Sequence, residues 1–167
     1  MPTSPRSFTL VVALVVALAV VSPTPSAAAL AAGEVALDNT NYASLVEKAP
    51  YAWLLEFYST RCGSCAAFEG TFHAFTATED VATGFKGHVG RINIDSDGGM
   101  ALAQKLGALD AGLPGVWVVP KNPPRAKLVY GPDDGNRSPE QLWGSVEAML
   151  EKAGVQSEQG TGLFLRS

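Results

Sequence analysis

Tyr51-Ala52-Trp53-Leu54-Leu55-Glu56-Phe57-Tyr58-Ser59-Thr60-Arg61-Cys62-Gly63-Ser64-Cys65 is the stretch that decides the fold of this chain. The apolar run from Tyr51 to Tyr58 is short, rich in aromatics and interrupted only by Glu56, the pattern of a buried strand. Two cysteines follow it directly. From Cys65 onward Phe68, Phe72 and Phe75 recur at helical spacing, while Glu69, His73 and Glu79 fall elsewhere around the cylinder. The pair therefore stands where a strand ends and a helix begins, the place where open α/β sheets hold ligands.

That position gives the two thiols different prospects. The first turn of a helix supplies unpaired N–H groups and the positive end of the macrodipole, and both favour thiolate over thiol. Cys62 is expected to have a lowered pKa and to act as the nucleophile, through a mixed disulfide. Cys65, one turn later beside Phe68, is expected to face inward and to resolve that intermediate. Three other readings compete. A structural disulfide would close a very small loop and gain little chain entropy. A structural zinc needs four ligands, and the only histidines are His73 and His88. His73 lies about 12 Å along the helix from Cys65, too far to share a metal at its start. The third is a redox pair inherited but unused. Both histidines are read as solvated surface residues.

Glu56 is the second informative residue. A carboxylate inside an apolar strand is costly unless it is paired or protonated. On an edge strand it would simply face water. Buried beside the cysteines, it would have a raised pKa and could take the proton of Cys65, through water, when the mixed disulfide resolves. Arg91, at the start of the next apolar strand, is its expected charge partner. Pro114 is the third. A proline at the first residue of a strand is ordinary, whereas a cis bond after Leu113 would expose backbone groups next to the cysteines. The pattern leaves both open.

Outward from the pair the chain alternates between strand and helix. Val35 to Leu37 reads as a short strand, and Asp38, Asn39 and Thr40 offer caps for a helix through Tyr42, Leu45 and Val46. Val89 to Asp95 reads as a strand. A short helix carries Met100, Leu102, Ala103 and Leu106 and closes at Gly107. Ala108 to Gly112 reads as a loop, Val116 to Val119 as a strand, Lys121 to Arg125 as a turn, and Ala126 to Tyr130 as an antiparallel return. Ser138, Pro139 and Gln141 form a capping box for the last helix, which buries Leu142, Val146, Met149 and Leu150 and stops at Gly154. Initial alternation with a closing hairpin predicts one α/β unit, a central mixed β-sheet flanked by helices on both faces.

The ends of the chain differ from its middle. Phe8 to Val21 is an apolar run of fourteen residues preceded by Arg6 and followed by Ala27-Ala28-Ala29. It would span about 21 Å as a helix against a hydrocarbon core of about 30 Å. It reads as a signal peptide over residues 1–29, cleaved after Ala29, with an uncleaved anchor or a buried helix as the alternatives. Such a leader implies an oxidising compartment on the secretory route, either the endoplasmic reticulum lumen or the outside of the cell. It also implies no stable membrane span after cleavage. Leu163 to Ser167 is no retrieval signal of the K-D-E-L kind. Residues 30–154 form the expected domain, and 155–167 a flexible tail. Sixteen acids against twelve bases give a net charge of −4, which argues against nucleic acid as a partner. Two cysteines cannot build a disulfide scaffold, and a 47% hydrophobic chain has enough apolar residues for a core without one.

The residues quoted above also carry a resemblance. Leu55 to Cys65 resembles the E-F-Y-A-P-W-C-G-H-C segment of redox-active protein disulfide isomerase domains, members of the thioredoxin superfamily. Arg91-Ile92-Asn93-Ile94-Asp95 resembles the K-L-N-I-D strand of thioredoxins. Leu113-Pro114 matches the cis-proline site, and Tyr130 to Glu140, with Arg137, is similar to the Y-x-G-x-R stretch before the last helix. The resemblance implies a thioredoxin fold and a cis Leu113–Pro114 bond. It implies Cys62 as nucleophile, Cys65 as resolver, Glu56 as proton acceptor and Arg91 as its ion partner. It implies a thiol–disulfide oxidoreductase that needs no cofactor or metal. Its partners would be cysteine-containing client proteins, with glutathione or another thiol–disulfide couple. A secreted thioredoxin-like reductant and a non-catalytic, chaperone-like binding module are the alternatives. Several positions depart from the family. Arg61 replaces tryptophan, Ser64 replaces the histidine whose imidazolium would stabilise a thiolate, Ala66 replaces lysine, Gly70 replaces the helix proline, and Gly115 stands where threonine is common. Losing the histidine should make the pair less oxidising, while the charge of Arg61 pushes the other way.

Overall fold

In the computed structural model, which describes Met1 and residues 33–85, 88–120, 125–157 and 164–165, the decisive apolar run is strand β2, Trp53–Tyr58, buried along its whole length. The other strands of its sheet are β1 (Glu34–Ala36), β3 (Val89–Asn93), β4 (Gly115–Val119) and β5 (Lys127–Tyr130). Their order is β1-β3-β2-β4-β5. β3 runs parallel to both β1 and β2, whereas β4 is antiparallel to β2 and to β5. The sheet is therefore mixed, and β2 lies at its centre. The expected leader and most of the expected 121–125 turn and tail lie outside the described residues.

Among the described residues five α-helices accompany the strands. They are α1 (Gly63–Thr76), α2 (Glu79–Phe85), α3 (Asp97–Leu106), α4 (Ala108–Ala111) and α5 (Pro139–Lys152). Because side chains alternate across a strand, β2 serves two cores. Leu54 packs with Phe68, Phe72 and Phe75 of α1 and with Leu142, Val146 and Leu150 of α5. Trp53, Leu55 and Phe57 pack on the other face with Leu102 and Ala103 of α3. Glu56 shares the parity of Leu54, so its carboxylate leaves the sheet toward α1. The parallel register sets it opposite Arg91.

Local signals explain most boundaries. Ser138 accepts from the Gln141 N–H while the Gln141 side chain accepts from the Ser138 N–H, and Pro139 opens α5. Ser96 caps α3 through the N–H of Gly99. Four expectations need correction. Residues 108–111, read as loop, form the short helix α4, because Gly107 ends α3 at φ +72° and Ala108 then packs into the core. The segment after the Asp38 turn makes only a π-helical turn at Ala43–Glu47, which buries Tyr42 and Val46 and leaves Leu45 exposed. His73 is half-buried against Glu34, and His88 packs tilted against Tyr51 and edge-on to Trp53, so neither is a solvated surface residue. Where the tail was expected to begin, Val155 is buried in the α1/α5 core, and Gln156–Ser157 pairs antiparallel with Phe164–Leu165. Among the described residues no helix is long and apolar enough to cross a membrane.

Close approach of backbone explains two glycines. A Cβ on Gly99 would stand 1.9 Å from the carbonyl oxygen of Asn93, so the first turn of α3 could not sit against the end of β3. A Cβ on Gly115 would stand 2.9 Å from the indole nitrogen of Trp117, so a larger residue there would push that ring aside. Gly70 has open space instead. Urea unfolding should show Gly99→Ala destabilised by about 2 kcal/mol or more through overpacking. The same measurement on Gly70→Ala should show a gain of about 0.5 to 1 kcal/mol from helix propensity alone.

Candidate functional site

Cys62 caps α1. It holds an extended conformation, φ −95° and ψ 117°, and its sulfur accepts from the N–H of Cys65 at 3.2 Å. The Ser64 hydroxyl lies 3.0 Å from the same sulfur and 3.2 Å from the carbonyl oxygen of Leu113. Partial burial opposes ionisation of Cys62, but the hydrogen bonds from Cys65, Ser64 and the helix-start backbone outweigh it and hold the thiol below its ordinary range. Cys65 is buried, and that burial, with the Cys62 thiol and the nearby charge of Glu56, pushes its pKa up to about 12. Both cysteines are free. Two chemically identical side chains three residues apart thus differ sharply in readiness to ionise.

Behind the pair lies Glu56, fully buried. Arg91, 2% exposed, donates from Nε to Glu56 Oε2 at 2.6 Å. Desolvation nevertheless dominates over the guanidinium, and Glu56 is raised to about 7. Its other oxygen, Oε1, is buried with no hydrogen-bond partner among the described residues. The carboxyl group therefore keeps a free acceptor in the interior. The guanidinium also stacks on the ring of Tyr58, 4.2 Å from its centroid.

The loop between β2 and α1 is tied down by a residue that the sequence reading passed over. Asp95 accepts from the Ser59 hydroxyl at 2.8 Å, from the Thr60 N–H and hydroxyl at 2.7 Å each, and from Arg61 Nε at 3.1 Å. Those bonds, the Thr60 hydroxyl first, hold its carboxyl far below the usual carboxylate range. Arg61 is 80% exposed and turns its charge onto Asp95, with Nη2 at 3.0 Å. The expected push of Arg61 on the thiolate is thus largely cancelled by its partner. Nor did the sequence show that Glu69, His73 and Glu34 join Arg91 in one charge cluster. Glu69 stands 3.6 Å from Arg91 and 3.7 Å from His73, and His73 Nδ1 lies 3.3 Å from Glu34. Glu69 follows Cys65 by four residues, one helical turn, which was the available signal.

The Leu113–Pro114 bond is cis. Pro114 joins Ser64, Phe68, Tyr130, Asn136 and Arg137 around a pocket of about 150 Å³ beside the cysteines. Arg137 does not reach the sulfurs by any described contact. It donates to the Ser145 hydroxyl at 2.6 Å and to Asp134, so it ties the turn after β5 to α5. Among the described residues no three His, Cys, Asp or Glu side chains are placed to hold a metal ion.

A family model described as Thioredoxin matches residues 33–133. Three solved structures are similar to this chain. The J-Trx1 fragment of ERdj5 has 18% identity and a TM-score of 0.55, over 74% of this chain and 53% of that one. The Trx4 domain of ERdj5 has 17% and 0.52, over 72% and 97%. The first thioredoxin domain of mouse protein disulfide-isomerase A4 has 21% and 0.50, over 77% and 82%. The chain spans about half the length of the J-Trx1 fragment. At these identities the likeness is one of fold. No curated protein matches.

Because the folded chain holds the Glu56 proton more tightly than an unfolded chain would, ionising Glu56 costs stability. Its contribution is whole below the ordinary value of 4.5, declines as pH rises and levels off above about 7. Unfolding measured across that range should show the wild-type chain losing about 3 kcal/mol relative to Glu56→Gln. A difference that stays flat with pH would place Glu56 at an ordinary carboxylate pKa.

Proposed function

This chain belongs to the thioredoxin family, and from that premise we propose that it is a thiol–disulfide oxidoreductase working on cysteine-containing proteins of the secretory route. The carrying observation is the asymmetry of the pair: a half-exposed Cys62 held below its ordinary pKa, and a buried Cys65 held near 12 beside a carboxyl group near 7. A binding module has no need of that arrangement.

The chemistry follows from it. The Cys62 thiolate attacks one sulfur of a client disulfide. The client S–S bond breaks, a mixed disulfide forms, and the departing client sulfur leaves as a thiolate that takes a proton from solvent. Cys65 must then lose its proton in a place that disfavours the charge. Glu56 takes it, directly or through one water, on the oxygen that carries no other partner. The Cys65 thiolate attacks the Cys62 sulfur, the client leaves reduced, and the pair becomes the disulfide. Run backward, with an oxidised pair, the same steps place a disulfide in the client. Arg91 serves as a positioning residue that holds Glu56 in the cavity.

The environment of Cys62 also bears on poise. The groups that donate to its sulfur are neutral, since Ser64 has no charge and Arg61 is committed to Asp95. A less stabilised thiolate makes a less oxidising couple, which favours reduction or rearrangement of client disulfides over net oxidation. The leader-like segment and the likeness to a domain of a protein disulfide-isomerase support the secretory placement, in the lumen or outside the cell, with glutathione or another thiol–disulfide couple as the small partner.

Cys65→Ser should accumulate mixed disulfides with clients, whereas Cys62→Ser should accumulate none; equal trapping by both would reverse or abolish the roles. Stopped-flow kinetics on Glu56→Gln should show the first attack unchanged and release of the mixed disulfide slowed about tenfold to a hundredfold. Equilibration with glutathione should place the couple of Ser64→His about 30 mV or more above the wild type, a change of roughly 1.4 kcal/mol for two electrons.

A further inference from the structure

Ser64 occupies a position from which one hydroxyl reaches two acceptors. Its oxygen lies 3.0 Å from the Cys62 sulfur and 3.2 Å from the Leu113 carbonyl oxygen. A serine hydroxyl carries one proton and two lone pairs, so it can donate to only one of them at a time. A carbonyl oxygen never donates, whereas a cysteine sulfur does so as a thiol and accepts as a thiolate.

The proton inventory then allows two arrangements. With Cys62 as a thiol, its S–H donates to Ser64 and Ser64 donates onward to Leu113, a chain of two bonds. With Cys62 ionised, its proton has gone to solvent and the sulfur is an acceptor only. Ser64 then turns its single proton onto the sulfur, and the Leu113 carbonyl is released. The Cys65 N–H, at 3.2 Å, faces the sulfur in both arrangements.

We propose that Ser64 is a positioning residue whose one proton links the ionisation of Cys62 to the hydrogen bonding of the Leu113 carbonyl. The proposal rests on the reading of Cys62 as the nucleophile and adds a coupling to it. Arming the sulfur opens a backbone acceptor beside it, immediately before Pro114. Coupling of this kind is reciprocal. A donor that takes the place of Ser64 on the Leu113 carbonyl, such as a main-chain N–H of an extended client segment, turns the serine proton to the sulfur and raises its thiolate fraction. The other titratable and charged groups here do not supply this link. Cys65 is on α1 itself, Arg61 before it is paired with Asp95 after β3, Arg137 across the pocket is bonded to Asp134 and Ser145, and Leu113 and Pro114 bring no charge.

Leu113–Pro114 is the chain's one Leu–Pro pair, so labelling leucine with carbonyl ¹³C and proline with ¹⁵N gives a single resonance for that carbonyl. On the reduced full chain, without client or glutathione, this resonance should titrate with the same midpoint as alkylation of Cys62. In Ser64→Ala the carbonyl response should be lost. The alkylation midpoint there should rise by about half a unit to one unit, a threefold to tenfold loss of thiolate below the midpoint. Ser64→Thr, which keeps the hydroxyl, should restore both. Ser64 is exposed on the first turn of a helix, so alanine there does not threaten folding. A wild-type carbonyl that ignores the Cys62 titration would overturn the proposal. So would one that titrates equally in Ser64→Ala, since it would be sensing the thiolate field directly. The readout needs no turnover, so its failure leaves disulfide exchange standing, and loss of exchange activity leaves the titration standing.

Discussion

A carboxyl group in the central strand of a sheet needs an answer to its charge, and here Arg91 gives it from the adjacent strand at 2.6 Å. That contact requires the β2–β3 register in which Glu56 faces Arg91. A slip of β2 by one residue would turn Glu56 to the opposite face from Arg91 and set Leu55 or Phe57 opposite it. The same parity that buries the pair sends Leu54 into the core under α1 and α5. Removing Glu56 leaves the buried Arg91 guanidinium with Glu69, 3.6 Å away, as its remaining ion pair among the described residues, which costs stability. An apolar pair of the same shape would hold the fold at least as well. The pair also keeps a carboxyl near neutrality close enough for its charge to act on Cys65.

The site grows from that strand by short steps. β2 ends at Tyr58, and the next three residues are fastened to Asp95 before the helix starts at Gly63. This fixes where Cys62 stands as the cap of α1, where hydrogen bonds from the Cys65 and Ser64 side chains and from the helix-start backbone lower its pKa. One turn further, Cys65 falls on the buried side of the same helix. The contrast between the thiols is therefore a consequence of helix geometry laid over the boundary of the core. The groups that hydrogen-bond to the Cys62 sulfur, Ser64 among them, are neutral.

Much of this was legible in the sequence because it depends on local pattern. The strand–cysteine–helix junction, the burial of Glu56, its pairing with Arg91 and the capping box at Ser138 are all set by residues near in sequence or by strand parity. What was not legible depends on distant contacts. Asp95 was read only as the end of a strand, since nothing local says that it will receive three residues lying more than thirty positions earlier. His73 and His88 were misread because their burial is decided by Glu34 and by Tyr51 and Trp53, which other elements bring to them. Gly115 could be named as a departure from the family, but its reason, the indole of Trp117, required the packed sheet.

The central claim is that one fold makes two cysteines unlike each other. It is tested most directly by reacting the reduced chain with limiting iodoacetamide near neutral pH and reading each cysteine separately by peptide mass spectrometry. Cys62 should be modified at least about a hundredfold faster than Cys65, as expected when one thiol is held below its ordinary value and the other near 12. Similar rates at the two positions would contradict the account.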